Sequence, residues 1–169
     1  MESTGRRLSS VLGLRWDDFD FEKREIHWRA ELDKRRRTWV TPLPAIATEA
    51  LLAERQKNPA IGAGLVFRSG KNPARPITPH LAGYWLKRAF EIAKVQKPAG
   101  TLWHGFRRKW ATERRHFPLK DVATAGGWSD VQTMITCYQR PDAEMMRAVV
   151  DLTAPPNPAR SARSRAASN

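Results

Sequence analysis

Tyr138, near the end of the chain, is preceded by a His-x-x-Arg pair at His104 and Arg107, by an early Arg7, and by a run of cations at Lys34, Arg35, Arg36 and Arg37. These residue types are the raw materials of phosphoryl transfer without a metal. Such a reaction needs a nucleophile, donors that hold the non-bridging oxygens of a phosphate as charge redistributes, and an acid for the leaving oxygen. Arginine suits the second task, because its planar fork donates two parallel hydrogen bonds and keeps its proton at physiological pH. Lysine suits the third, as a compact donor whose pKa moves readily. Asp17, Asp18 and Asp20 lack the further ligands a metal site would need, and they read as a polar turn.

The elements that must position these groups are legible as hydrophobic periodicities. Leu8, Val11 and Leu12 repeat at i, i+3 and i+4 and predict a short helix within residues 4–14. Residues 25–32 and 38–41 carry β-branched and aromatic side chains and predict a hairpin with a basic tip at 33–37. A helix over 45–55 and a third short strand at 65–67 follow. Thr78 then caps a helix with Pro79 in its first turn. Leu81, Tyr84, Trp85, Ile92 and Val95 mark one face of that helix, and the other is basic.

Residues 104–115 form the next predicted helix, which stops at Phe117-Pro118. A short helix over 119–125 closes at Gly126-Gly127. Ser129 or Asp130 caps another, whose stripe of Val131, Met134, Ile135 and Tyr138 projects the tyrosine from its apolar face. Met145, Val149 and Leu152 predict a last short amphipathic helix after Asp142. The expected fold is α+β, mainly helical with a small antiparallel sheet. Residues 153–169 (TAPPNPARSARSRAASN) have nothing to bury and predict a disordered basic tail.

The 169 residues carry 30 Lys and Arg against 17 Asp and Glu, a net charge of +13, which favours a polyanionic partner. With 41% hydrophobic residues the chain can bury one core. No segment approaches the roughly 20 apolar residues of a membrane-spanning helix, and no secretory signal opens the chain. The single cysteine, Cys137, excludes an internal disulfide framework. The expectation is a soluble, cytoplasmic, DNA-associated protein without membrane contact.

In sequence order these features resemble the catalytic domain of the tyrosine recombinase (phage integrase) family, over about residues 4–142. Thr4-Gly5-Arg6-Arg7-Leu8-Ser9-Ser10-Val11-Leu12 is similar to the family's opening helix and puts its first catalytic arginine at Arg7, with Arg6 a rival one residue away. Counting back from Val40-Thr41-Pro42-Leu43-Pro44, the resemblance places the general-acid lysine at Lys34. His104-Gly105-Phe106-Arg107 matches the His-x-x-Arg box, Trp128 ends the stretch that closes in a His or Trp, and Tyr138 occupies the nucleophile position. Ser10 stands where the family usually carries an acidic residue.

The resemblance implies attack of Tyr138 on a phosphodiester of double-stranded DNA, giving a 3′-phosphotyrosyl link and a free 5′-hydroxyl, with no cofactor and no metal. Arg7 and Arg107 would clamp the phosphate, Trp128 would donate its indole N–H, His104 would accept or orient the phenol proton, and Lys34 would protonate the leaving oxygen. A family-derived fragment that binds DNA without cleaving it is the alternative. The implied organisation is a catalytic domain over residues 1–152, without the family's N-terminal core-binding domain. It also implies a homo-oligomer on DNA, joined through the C-terminal helix.

Overall fold

A computed structural model describes residues 1–57, 64–96, 100, 102–139 and 141–151. The predicted basic tail at 153–169 lies outside the described residues. The order of elements is α1 (Leu8–Leu12), β1 (Phe19–Asp20), β2 (Glu25–Trp28), β3 (Trp39–Pro42), α2 (Ala45–Lys57), α3 (Pro79–Ile92), α4 (Leu102–Glu113), α5 (Leu119–Gly126), α6 (Val131–Tyr138) and α7 (Ala143–Val150). The expected mainly helical α+β architecture is what the chain adopts.

The strands pair antiparallel in the order β1-β2-β3, with Phe19 opposite Ile26 and Trp28 opposite Trp39. Alternation sends Ile26 and Trp28 into the core and leaves His27 outside. The hairpin is shorter than its sequence suggested. Ala30–Leu32 winds into a 3-10 turn instead of extending β2, and Arg29 there ties Asp18 at 2.7 Å and the Gly13 carbonyl at 2.8 Å. Asp18 also accepts from the Arg15 amide at 2.8 Å, so its carboxylate serves the turn before β1. The strand expected at 65–67 is reduced to isolated bridges, Arg15 with Leu65 and Arg68 with Pro76.

Helix starts follow the caps written in the sequence. Thr78 accepts from the Leu81 amide, Asp130 from the amides of Gln132 and Thr133, and Asp142 from that of Met145. Three apolar clusters hold the elements together: Leu14, Ile26, Trp28 and Leu43 under the sheet; Leu12, Ile77 and Ala82 between α1 and α3; and Trp110, Ala111, Val122, Ala123, Trp128 and Met134 among α4, α5 and α6. Each large apolar side chain so buried contributes about 1.5–3 kcal/mol. The face expected to seat α3 does not do so. Tyr84, Trp85, Ile92 and Val95 are each more than half exposed, and α3 packs through Ala82 and Leu81 instead.

Candidate active site

Helical spacing on α4 sends Arg107, Trp110 and Ala111 inward. Arg107 is fully buried, at 0% exposure. Its Nη1 donates to the carbonyls of Gly5 and of Gly126, the latter at 2.6 Å. Its guanidinium carbon lies 3.5 Å from the centroid of the Trp128 ring and 5.3 Å from that of Tyr138. Nε and Nη2 find no hydrogen-bond partner, and neither does the indole Nε1 of Trp128. Unpartnered buried donors are costly, about 1–3 kcal/mol each, which marks these three atoms as candidates for contact with an anion. Burial, and secondarily the charge of Arg7, pushes the Arg107 pKa down to about 9, with Tyr138 pulling it back. The guanidinium stays protonated at neutral pH, in a setting that rewards a negative ligand.

Tyr138 is the last residue of α6. Its carbonyl accepts from the Thr112 hydroxyl at 3.0 Å, and the Gln139 amide side chain reaches the Ala111 carbonyl at 3.3 Å, so the end of α6 is fastened to α4. The half-buried phenol ring meets Trp128 edge-on at 5.0 Å and His104 edge-on at 6.4 Å. His104 lies one helical turn before Arg107 and is exposed. Its pKa is lowered first by desolvation and then by the charges of Arg107, Arg108 and Arg7, which keeps the imidazole neutral and able to take a proton.

Trp128 follows Gly127, whose φ of +70° turns the chain after α5. At 3% exposure it stacks on Trp110, with centroids 6.0 Å apart, so it packs the core and still aims an unpartnered N–H. Arg7 sits at the extended N-cap position of α1 and lines a cleft with Arg107, Gly126 and Gly127. Lys34 follows Asp33, a residue of the same cleft wall, but is itself exposed. Among the described residues no hydrogen bond or ion pair joins it to the other five. The fold therefore gathers Arg7, His104, Arg107, Trp128 and Tyr138 and leaves Lys34 on the adjoining turn.

Two neighbours of these residues have contacts that sequence reasoning missed. Arg6 lines the same cleft as Arg7 but is buried, its guanidinium lodged in the seam between sheet and helices. Its guanidinium carbon is 4.8 Å from the Trp28 ring and 5.4 Å from the Trp39 ring, and it donates to the carbonyls of Ala125 and Thr124, each at 3.2 Å. The paired glycines Gly126-Gly127 were its only local signal, since the Arg6 guanidinium lies against the Gly127 Cα where a side chain would stand. Ser10, at the position the resemblance expects to be acidic, donates its hydroxyl to the Leu32 carbonyl at 2.5 Å and anchors the 3-10 turn after β2.

The fold thus brings a buried arginine fork, donors without partners and a phenol ring into one place. The family model described as "Phage integrase family" matches residues 1–145, and the chain belongs to that family. No curated protein matches the chain. Among solved structures it is similar to the XerA recombinase, at TM-score 0.72 and 17% identity over 92% of this chain and 55% of that one. It is also similar to the Tn1549 transposon integrase in complex with a circular intermediate DNA, at 0.64 and 20% over 90% and 56%. The catalytic domain of bacteriophage HP1 integrase aligns at 0.55 and 14% over 89% and 76%. The chain thus spans about half the length of the XerA and Tn1549 proteins. At these identities the likeness establishes a shared fold, that of a tyrosine-recombinase catalytic domain.

Proposed function

We propose that this domain cleaves and rejoins double-stranded DNA through Tyr138. The observation that carries the reading is the group of buried, unpartnered donors, Arg107 Nε and Nη2 and Trp128 Nε1, grouped beside the Tyr138 ring. The Tyr138 oxygen attacks phosphorus and the bond to the 5′ oxygen breaks. The phenol proton passes to His104 or to water, and Lys34 protonates the departing 5′ oxygen when DNA draws its turn inward. Arg7, Arg107 and Trp128 hold the non-bridging oxygens. A second DNA end reverses the step, so the bond energy is kept in the phosphotyrosyl link and no nucleotide cofactor is consumed.

The partner is DNA, in keeping with the charge of +13 and with the recombinase complexes among similar structures. Residues 1–152 act as the catalytic domain, with 153–169 as a basic tail. Copies assemble on DNA through α7, and the protein works in the cytoplasm at its DNA target. Support for α7 comes from its exposed Met146, Val149 and Val150, which line an apolar groove of about 690 Å³ with Ile135 and Gln139. Among the described residues no helix is long and apolar enough to cross a membrane.

The deciding experiment is an SDS-resistant adduct assay on nicked duplexes, which trap the intermediate by losing the rejoining strand. An adduct with the wild-type chain that disappears in Tyr138→Phe, with DNA binding retained, is the expected result. DNA binding without any adduct in wild type would leave an inactive DNA-binding fragment or a catalytic domain in need of a DNA clamp, which the same assay with an N-terminal domain added would separate.

A further inference from the structure

Arg6 is 4% exposed, and among the described residues no carboxylate bonds to it. Burying a cation in this way is expensive and is tolerated only where other groups replace its hydration. Three elements supply those groups. Trp28 of β2 and Trp39 of β3 offer ring faces at 4.8 Å and 5.4 Å, and the last turn of α5 offers the carbonyls of Thr124 and Ala125. Those carbonyls belong to the negative end of the helix, where a cation is favoured. Burial nonetheless pulls the Arg6 pKa down to about 10, partly offset by Asp33.

Both flanks of this contact lead to the cleft. Arg7 follows Arg6 directly, and the Gly127 turn against which the guanidinium lies is succeeded by Trp128. The same turn supplies the Gly126 carbonyl that holds Arg107 Nη1 at 2.6 Å. An apolar side chain would fill the space beside Trp28 and Trp39 but would leave the α5 carbonyls without this donor.

We infer that Arg6 is a positioning residue: by joining the end of α5 to the sheet it sets Arg7, Trp128 and, through the Gly126 carbonyl, Arg107 around a bound phosphate. The inference rests on the proposed strand cleavage for its kinetic consequence, but its structural half stands apart from it.

The test compares the full chain with Arg6→Met and Arg6→Lys. Methionine is a good filler for an irregular core gap, so if Arg6 only packs, the methionine variant should behave as wild type. With positioning, single-turnover adduct formation on nicked duplexes at saturating DNA falls roughly 100-fold in Arg6→Met, the order expected of a misplaced catalytic array, while half-saturation is unchanged. Arg6→Lys recovers part of the rate, because an ammonium can serve one of the two carbonyls. Wild-type cleavage by Arg6→Met, or a change confined to half-saturation, overturns the inference. Amide hydrogen exchange gives a readout independent of activity. The Gly127 and Trp128 amides, bonded to the carbonyls of Thr124 and Ala123, should exchange faster in Arg6→Met at unchanged global stability. If wild type forms no adduct, the cleavage reading fails and exchange alone decides. Unchanged protection of those two amides then overturns the positioning role.

Discussion

The Arg107 guanidinium lies over the indole of Trp128, its central carbon 3.5 Å from the ring centroid, and each partner keeps a buried N–H without an acceptor. The stacking orients the fork, and on the proposed function the unmet donors await an anion. Such preorganised donors act where charge develops, without reorganising at the moment of reaction.

Inorganic phosphate should therefore stabilise the folded chain beyond the effect of chloride at equal ionic strength. At 100 times its Kd the gain is about 2.7 kcal/mol by mass action. Thermal or urea unfolding with increasing phosphate reads it, and the increment should vanish in Arg107→Met. Equal responses to phosphate and chloride would contradict a receptor at this site.

Trp128 packs the core and, on the proposed function, donates to the phosphate, and two substitutions separate those roles. Trp128→Ala should cost about 3–5 kcal/mol in urea denaturation, as expected of a truncated core aromatic. Trp128→Phe keeps most of the ring contact with Trp110 and Tyr138 and should cost far less. It nevertheless removes the N–H, so its adduct yield should fall although the protein remains folded. Wild-type cleavage in Trp128→Phe would leave the indole with packing alone.

His104 makes a pH-dependent contribution of its own. Its folded pKa is below 6.5, first because of desolvation and then because of Arg107, Arg108 and Arg7. The unfolded chain therefore binds the proton more readily, so the contribution of His104 to stability is present in full above pH 6.5. It is lost as pH falls through the lowered folded value and changes no further below it. Urea unfolding between pH 7.5 and 4.5 for wild type and His104→Gln isolates this component as the difference between the two curves. Titration of the His104 ring by NMR should give a value below that of a model peptide; a raised value would reverse the sign.

Gly127→Ala tests the turn between α5 and Trp128. A side chain at φ +70° costs about 1–2 kcal/mol, and its Cβ would also collide with the Arg6 guanidinium. The loss in unfolding free energy should exceed that of Gly83→Ala on α3, where a Cβ meets nothing within 4 Å. Equal effects at the two positions would mean that neither the left-handed turn nor the Arg6 contact is formed in solution.

What the sequence by itself determined is local. Thr78, Asp130 and Asp142 begin helices because their side chains accept from amides only two or three residues ahead, and Gly126-Gly127 ends one because Gly127 takes a left-handed backbone at little cost. The order of Arg7, Lys34, His104, Arg107, Trp128 and Tyr138 likewise sufficed to suggest the family to which the chain belongs. Periodicity names a helix but not the surface it meets, so Tyr84, Trp85 and Ile92 formed the expected apolar stripe on α3 and stayed largely exposed, as did Val95 just after it. Only tertiary structure decided the division between the adjacent arginines. Arg6 turns into the core because α5 ends opposite two tryptophan faces, and Arg7 is left beside Arg107, contacts made between residues well separated along the chain, up to 119 positions for Arg6 and Ala125, that no local pattern encodes.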